Sequence, residues 1–229
     1  MGDESTLTRL VLASASPARR RVLIDAGVEP IVRVSGVDEE AMTAALGPIA
    51  PADLALVLAR AKAREVSERA DELTLDADTD FSDRADMSDT DMSDTVIVGC
   101  DSVFELDGVA YGKPLTEAVA IERITAMSGR TGQLHTGHWV IRAGREAGRT
   151  ATTQVEFARM QADEITAYVA TGEPLQVAGA FTLDGLAAPY VRRIVGDPSN
   201  VLGISLPTMR ELLAEVGVPW QRLWTAAGR

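Results

Sequence analysis

Residues 10–21 read LVLASASPARRR, an apolar run followed by two serines, a proline and three arginines. The run predicts a buried strand over 10–13, and Pro17 suits the first position of a helix because its missing N–H needs no partner there. A helix start presents unpaired N–H groups, serine hydroxyls add donors, and guanidinium groups pair with phosphate oxygens. The stretch therefore indicates a phosphate-binding loop, with an ordinary strand–turn–helix as the alternative.

Length and composition indicate a globular chain with a substantial core. It has 229 residues, 46% of them hydrophobic, which suits a single domain of two lobes over 1–229. No apolar run reaches the roughly 18 residues that a membrane span needs, and the first residues lack the basic and apolar regions of a signal peptide. We therefore expect a cytoplasmic protein with no membrane partner.

The single cysteine and the net charge limit the partners. Cys100 can form no intrachain disulfide, and a zinc site built from several cysteines is excluded. The net charge of −12 argues against a nucleic-acid partner. Residues 71–95 hold ten acidic side chains against one arginine, so basic residues elsewhere are left to serve an anionic ligand.

Residues 74–94 form an acidic, low-complexity insertion. They include most of a tandem repeat, DMSDT at 86–90 and again at 91–95, and have few apolar side chains. Such a segment cannot bury enough surface to offset its ordering entropy, so we expect it to be disordered. Its alternating aspartates resemble a calcium loop, but the glycine and distal glutamate of an EF-hand are absent.

The remaining elements alternate between strands and helices, which is typical of an α/β fold. We predict a mixed, twisted sheet with flanking helices. Predicted strands cover 10–13, 30–34, 95–101, 103–106, 109–111, 136–143 and 150–158; predicted helices cover 17–26, 51–70, 116–128, 163–171 and 207–216. Turns are expected at 36–40, 107–108 and 144–148. Asp101 closes its predicted strand, and ligands of open α/β sheets bind at that end.

Three charged residues stand at predicted turns or strand ends, namely Glu39, Asp101 and Lys113. Two carboxylates beside a phosphate loop suit a magnesium- or manganese-dependent hydrolysis of a phosphoanhydride. The hard cation binds carboxylate and phosphate oxygens, and one carboxylate can deprotonate the attacking water. A lysine stabilises the charge that grows on the phosphates. Acids and lysines are also common in exposed turns, which is the alternative.

Eight short blocks follow one another in the order found in the Maf family, and the resemblance covers about residues 8–217. They are SASPAR (14–19), GVDE (36–39), CDS (100–102), GKP (112–114), SGRT (128–131), TGEP (171–174), AGAF (178–181) and GDPSNVLG (196–203). The chain therefore resembles the Maf family.

The resemblance implies a nucleoside triphosphate pyrophosphatase that uses a divalent cation, Mg²⁺ or Mn²⁺, to release a nucleoside monophosphate and pyrophosphate. It implies a Maf/ITPase-like α/β fold with two lobes around a central cleft. Family members often form homodimers, so a homodimer is expected here as well. The family is also linked to septum formation and to the clearance of unwanted nucleotides.

Roles carry over by matching position. Asp101 resembles the proton acceptor for the attacking water and Glu39 the second acidic residue, so both are candidate metal ligands. Lys113 resembles the phosphate lysine. The phosphate-binding loop is represented by Ser14, Ser16 and Arg19.

Three positions linked to base choice depart from the family members that prefer dTTP and UTP. Those members usually carry arginine, threonine and glutamine where this chain has Ala18, Ser102 and Asp184. Pyrimidine specificity is therefore not inherited, and the preferred base stays unassigned. Asp184 resembles the acidic residue of members that prefer 7-methyl-GTP, and a carboxylate can accept hydrogen bonds from the N1–H and amine of guanine.

Two other functions remain open. A nucleotide-binding regulator of septum formation without efficient catalysis is suggested by Ala18 and by Val177, which stands where the family has lysine. Retention of Glu39, Asp101 and Lys113 speaks against it. A nucleotidyltransferase is a third reading, because an early strand, a small polar loop and an arginine also open such enzymes.

Overall fold

The computed structural model describes residues 8–69 and 94–225. The strands are β1 (Arg9–Leu12), β2 (Ile31–Val32), β3 (Thr95–Leu106), β4 (Val109–Tyr111), β5 (Thr131–Arg142), β6 (Arg145–Phe157) and β7 (Val191–Val195). The helices are α1 (Pro17–Asp25), α2 (Glu39–Leu46), α3 (Pro51–Glu68), α4 (Glu117–Met127), α5 (Ala162–Ala170), α6 (Pro198–Val201) and α7 (Leu206–Glu215). Short 3-10 helices cover Glu173–Gln176, Ala178–Ala180, Ala188–Tyr190 and Trp220–Leu223.

These strands form one mixed sheet in the order β2-β1-β3-β5-β6-β7, with β4 paired to the outer part of β3. The predicted α/β class with a mixed sheet and flanking helices is confirmed. In the described ranges, none of the helices combines the length and hydropathy needed to cross a membrane. The predicted disordered insertion 74–94 lies outside the described residues except for Asp94.

Strand β3 continues well past the residue at which we predicted its end. Its parallel pairing with β1 finishes at Leu12 opposite Val98, but its antiparallel pairing with β5 runs on as far as Glu105. The prediction that Asp101 closes a strand is therefore wrong, because β5 supplies a hydrogen-bonding neighbour after β1 has ended. Asp101 still lies just beyond the carboxyl end of β1, the edge at which we predicted ligand binding, and binding there remains a prediction.

Helix α3 lies unusually close to one face of the sheet. A Cβ atom at Gly99 would stand 2.2 Å from the carbonyl oxygen of Ala59, and one at Gly137 would stand 2.2 Å from that of Ala55. Only glycine permits such an approach between a helix and strand backbones. Side chains alternate along a strand, so Asp101 faces α3 together with Gly99.

The opposite face of β3 carries two hydrophobic clusters. The first joins β3 to α1 and α7, and Val98 and Cys100 belong to it. The second joins β3 to α4 and α5 and includes Phe104, whose ring lies edge-on to Phe181 at 5.6 Å between centroids. Ser102 lies between the two clusters. The division of 1–229 into two lobes remains a prediction.

Two local predictions are wrong. Glu39 does not stand in a turn but begins α2, because the Asp38 side chain accepts a hydrogen bond from the Ala41 N–H at 2.9 Å and caps the helix. The β5–β6 turn is not 144–148 but the pair Ala143 and Gly144, with φ of 46° and 75°. Two residues with positive φ form the tight turn that suits the twist of a hairpin.

His138 is fully buried in β5 and makes the fold sensitive to acid. Its Nε2 accepts a hydrogen bond from the Ser205 N–H at 2.8 Å. Burial, reinforced by the positive charge of Arg19, lowers the pKa of His138 from 6.5 to about 4. Above pH 6.5 the imidazole is neutral in both the folded and the unfolded chain, and the fold has its full stability from this group. As the pH falls from 6.5 through 4, the unfolded chain binds a proton before the folded chain does, and that stability is lost.

We expect His138→Gln to flatten the acid side of the stability curve. The native chain should lose up to about 3 kcal/mol of unfolding free energy from this group over that pH window, and the variant should lose none of it. Thermal unfolding followed by circular dichroism at half-unit steps from pH 7 to pH 4 measures the effect. Equal slopes for the two proteins would show that another group governs acid unfolding.

Candidate active site

The segment after β1 forms the strand-to-helix loop that the sequence predicts. Ser14 is buried, and its Oγ accepts a hydrogen bond from the Ser16 N–H at 3.3 Å. Ser16 caps α1, its Oγ accepting from the Arg19 N–H at 3.4 Å, and Pro17 occupies the first turn as predicted. The loop thus exposes the start of α1 at the end of β1. Phosphate binding by Ser14 and Ser16 remains a prediction.

Arg19 is buried beneath this loop and is bonded to several parts of the site. Its Nε donates to the Gly203 carbonyl at 2.7 Å, and its Nη1 donates to Ser14 Oγ and to the Cys100 carbonyl, each at 2.8 Å. Its Nη2 donates to Ser102 Oγ at 3.0 Å. Four of its five N–H groups are therefore used, one within the loop at Ser14 and three to tie the loop to β3 and to Gly203. A contact between Arg19 and phosphate remains a prediction.

A buried polar chain continues from Ser102 into the sheet. Ser102 Oγ lies 3.0 Å from Thr136 Oγ1, which donates to the Asn200 carbonyl at 3.4 Å. The Asn200 amide in turn donates to the Leu134 carbonyl and to Thr153 Oγ1, both at 3.1 Å. Hydrogen bonds among buried polar groups restrict their orientations, although the Asn200 Oδ1 itself is buried without a hydrogen-bond partner among the described residues. This series of hydrogen bonds links the candidate specificity position Ser102 to the sequence block at 196–203.

The two candidate catalytic carboxylates meet at one lysine. Lys62 of α3 lies with its Nζ 2.5 Å from Asp101 Oδ1 and 2.7 Å from Glu39 Oε1. The side chains of Lys62 and Asp101 are 9% and 10% exposed, whereas that of Glu39 is 42% exposed. The structure therefore brings Glu39 and Asp101 together, with Glu39 on the solvent side.

Sequence reasoning missed Lys62, although a signal for it exists. Leu58, Lys62 and Val66 follow one another at four-residue spacing, and all three are buried. A lysine in the apolar stripe of a helix is almost never buried without a partner of opposite charge. Its position in that stripe was enough to indicate a buried acidic partner.

The environment of Asp101 shifts its protonation. Burial raises the pKa of Asp101 above its ordinary value, and the negative charge of Glu39 acts in the same direction. The positive charges of Lys62 and Arg19 and the hydrogen bond from Lys62 oppose the shift without cancelling it. A carboxylate with a raised pKa is a better proton acceptor near neutral pH, which is the property that a general base needs.

Lys113 lies in the exposed loop between β4 and α4. The register of β3 with β4 places Tyr111 opposite Phe104, so the chain leaving β4 heads toward the part of β3 that holds Asp101. Within the described residues Lys113 has no hydrogen bond or ion pair, so its ammonium group is available to a ligand. Its role toward phosphate remains a prediction.

The three candidate specificity positions are connected with the face of β3 opposite to the one that carries Asp101. Ser102 faces the opposite side of β3 from Asp101, and Ala18 precedes Arg19, which bonds to Ser102. Asp184 is exposed and follows Phe181, the residue whose ring packs on Phe104 on that same face. Their roles in base choice remain predictions.

The donors present fit a hard divalent cation that is shared with a substrate. Glu39 and Asp101 offer carboxylate oxygens around one point, and Mg²⁺ is usually held by one or two carboxylates together with waters and substrate phosphates. In residues 8–69 and 94–225, no group of three or more His, Cys, Asp or Glu side chains is arranged to hold a metal. Binding of the metal together with phosphate is the arrangement that this pair of carboxylates allows.

Comparison with known proteins decides the family, since the family model for Maf-like proteins matches residues 9–216. The chain belongs to the Maf-like family. A Maf-like relative from Rhodococcus opacus (strain B4) is 50% identical over 97% of this chain and 99% of its own length. One from Nocardia farcinica (strain IFM 10152) is 50% identical over 96% and 98%. One from Rhodococcus jostii (strain RHA1) is 51% identical over 97% and 99%.

All three relatives are named nucleoside triphosphate pyrophosphatase. The match confirms the resemblance drawn from the eight sequence blocks. Every candidate site residue, from Ser14 to Asp184, lies within the matched segment of this Maf-like chain.

Proposed function

We propose that this Maf-like chain hydrolyses a nucleoside triphosphate to a nucleoside monophosphate and pyrophosphate. The observation that carries the proposal is the meeting of Glu39 and Asp101 at Lys62, close to the loop at 14–19. The names of the relatives from Rhodococcus and Nocardia support the same activity.

In this mechanism each residue has a defined task. The start of α1, with Ser14 and Ser16, binds phosphate oxygens through N–H and hydroxyl donors. Asp101 accepts a proton from a water molecule, and the oxygen of that water bonds to the α-phosphorus. The bond from the α-phosphorus to the bridging oxygen breaks, and pyrophosphate leaves. Lys113 stabilises the charge that grows on the departing pyrophosphate. Lys62 keeps Asp101 oriented.

The residues that would hold Mg²⁺ or Mn²⁺ are Glu39 and Asp101. When bound, the cation supplies positive charge to the phosphate oxygens and lowers the pKa of water. Lys62 contacts one oxygen of each carboxylate, and Glu39 is the more exposed of the two, so Glu39 would be the ligand that a cation could reach from solvent. Phosphate oxygens of the substrate and water would supply the remaining ligands of such a cation.

We further propose that Ser102, Ala18 and Asp184 face the base. An exposed carboxylate at Asp184 is an acceptor only, and it suits a base edge with two neighbouring donors, as in guanine or 7-methylguanine. A uracil or thymine edge offers one donor between two acceptors and leaves a carboxylate poorly matched. We therefore expect guanine nucleotides to rank above pyrimidine nucleotides.

A hydrolysis screen tests the activity. The purified full chain is incubated with standard, methylated and oxidised nucleoside triphosphates, with Mg²⁺ or Mn²⁺ and with a chelator, and pyrophosphate is measured against phosphate. We expect pyrophosphate and monophosphate from at least one nucleotide, and none with chelator. Tight binding with no turnover across the panel would favour the septum regulator, and turnover that requires a sugar-phosphate acceptor would favour the nucleotidyltransferase.

A further inference from the structure

The TGEP block at 171–174 contains a carboxylate that takes part in none of the steps above. Glu173 begins the 3-10 helix Glu173–Gln176 and is partly buried. Its Oε1 accepts hydrogen bonds from the Tyr168 hydroxyl at 3.1 Å, from Thr182 Oγ1 at 2.5 Å and from the Leu186 N–H at 2.9 Å. Its Oε2 accepts from the same Leu186 N–H at 3.0 Å. A single carboxylate therefore gathers three donors.

Two of those donors enclose the turn that carries Asp184. Thr182 stands two residues before Asp184 and Leu186 two residues after it, so the turn at 182–186 closes over the Glu173 carboxylate. A Cβ atom at Gly185 would lie 2.7 Å and 2.8 Å from the two Glu173 carboxylate oxygens. The turn therefore packs closely around the carboxylate, and a side chain at position 185 would displace the Glu173 and Thr182 side chains from their present contacts.

The residues that connect the Glu173 carboxylate and the 182–186 turn to the rest of the protein lie in the hydrophobic core. Tyr168 belongs to α5 and is 5% exposed within the second hydrophobic cluster. Phe181, which leads into the turn, packs on Phe104 of β3. Glu173 therefore joins the core to the turn, whereas Asp184 at its tip is exposed and has no hydrogen bond or ion pair in the described part of the chain.

The electrostatics favour a charged carboxylate at this place. Burial alone would raise the pKa of Glu173, but hydrogen bonding, chiefly from Thr182, Leu186 and Tyr168, outweighs burial and lowers the pKa. Hydrogen bonds to an ionised acceptor are about twice as strong as those between neutral groups. An amide at position 173 would keep the size of the side chain but would place an N–H₂ group against at least one donor.

From this geometry we infer that Glu173 is a positioning residue for base selectivity, holding the 182–186 turn so that the turn, with Asp184 at its tip, discriminates among nucleotide bases. The inference rests on the proposed function. It places Glu173 outside the chemistry of the phosphates, because none of its hydrogen bonds reaches Glu39, Lys62 or Asp101. Its loss should therefore change which base is accepted more than how fast phosphate is cleaved.

The test uses kcat and KM of the full chain for GTP, 7-methyl-GTP, ATP, CTP and UTP. We expect Glu173→Gln to reduce the ratio of kcat/KM between the best and the worst nucleotide by about tenfold or more, mainly through KM for the best one. Thr182→Val, which removes one donor on the turn side, should shift the ratio in the same direction. Tyr168→Phe is the matched control: it removes one hydroxyl from the same oxygen but leaves both turn contacts, and should change the ratio less than about twofold.

Contrary outcomes separate the inference from the activity. If Glu173→Gln and Thr182→Val leave the ratio unchanged, or lower kcat/KM for all five nucleotides in the same proportion, Glu173 is only a structural residue and the inference is overturned. The proposed function stands in that case. A wild-type chain that cleaves none of the nucleotides overturns the proposed function and the inference together. Thermal unfolding of each variant shows whether it folds. If Glu173→Gln fails to fold, the kcat/KM ratio of Thr182→Val decides for or against the inference.

Discussion

Asp101→Asn is expected to lower kcat for pyrophosphate release by about 10²–10⁴-fold while the far-ultraviolet spectrum stays unchanged. The amide has the size of the carboxylate, and its oxygen can still accept the hydrogen bond from Lys62. It cannot, however, accept a proton from water. Initial rates on the nucleotide that the hydrolysis screen ranks first measure the effect.

Asp107→Asn is the matched control, because it makes the same chemical change six residues later, just past the end of β3. Asp107 lies in the β3–β4 turn with φ of 53°, a conformation that asparagine adopts readily, and its partner Arg130 is exposed. We expect this control to keep the wild-type rate. Normal turnover in Asp101→Asn would mean that another group accepts the proton.

The pH profile of the wild-type chain should carry the signature of Asp101. Because burial raises the pKa of this carboxyl, activity should fall on acidification at a higher pH than an ordinary aspartate would produce. The base is present in its active form above that pKa and is lost as the pH falls through it. Rates measured from pH 9 to pH 4 test this, provided that thermal unfolding shows the chain to be folded at each pH.

Local sequence was sufficient to predict the strand, turn and helix start at residues 9–25, whose phosphate binding remains a prediction. Ser16, Pro17 and the apolar run before them act over fewer than ten residues, so the end of a strand, a cap and a helix start can be predicted directly. The α/β class follows in the same way from alternating short elements. The order of the sequence blocks indicated the family. The family resemblance then implied that Glu39 and Asp101 belong to one site, before any geometry was known.

The rest depended on contacts between distant parts of the chain. Lys62 and Asp101 are 39 residues apart and meet only because glycine at 99 and 137 lets α3 lie against the sheet. Strand β3 runs past Asp101 because β5, which follows later in the chain, pairs with it. The edge strand β7 reads VRRIV, a short polar segment that becomes a strand through its pairing with β6. Periodicity indicates that Lys62 is buried with an acidic partner, but it does not identify Asp101 as that partner, and it indicates neither the length of β3 nor the existence of β7.

Lys62→Met is expected to lower kcat at pH 7 by at least about 100-fold. The change removes the one ammonium group that contacts both carboxylates and leaves Asp101 buried without its nearest positive charge. A buried carboxylate that loses such a partner is protonated more easily, so its pKa should rise further. A protonated Asp101 cannot act as the base, and Glu39 loses the contact that directs it toward Asp101.

The pH dependence distinguishes this cause from a general loss of structure. If the defect lies in the protonation of Asp101, raising the pH should restore part of the activity of Lys62→Met, because the carboxyl ionises again above its new pKa. Arg64→Met is the matched control on α3. The Arg64 side chain is 44% exposed and pairs with Glu146, and none of its hydrogen bonds in the described ranges reaches Glu39 or Asp101. We expect the control to keep both the rate and the profile of the wild type. A Lys62→Met profile that keeps the wild-type shape at a uniformly lower rate would mean that Lys62 acts on the phosphates and not through Asp101.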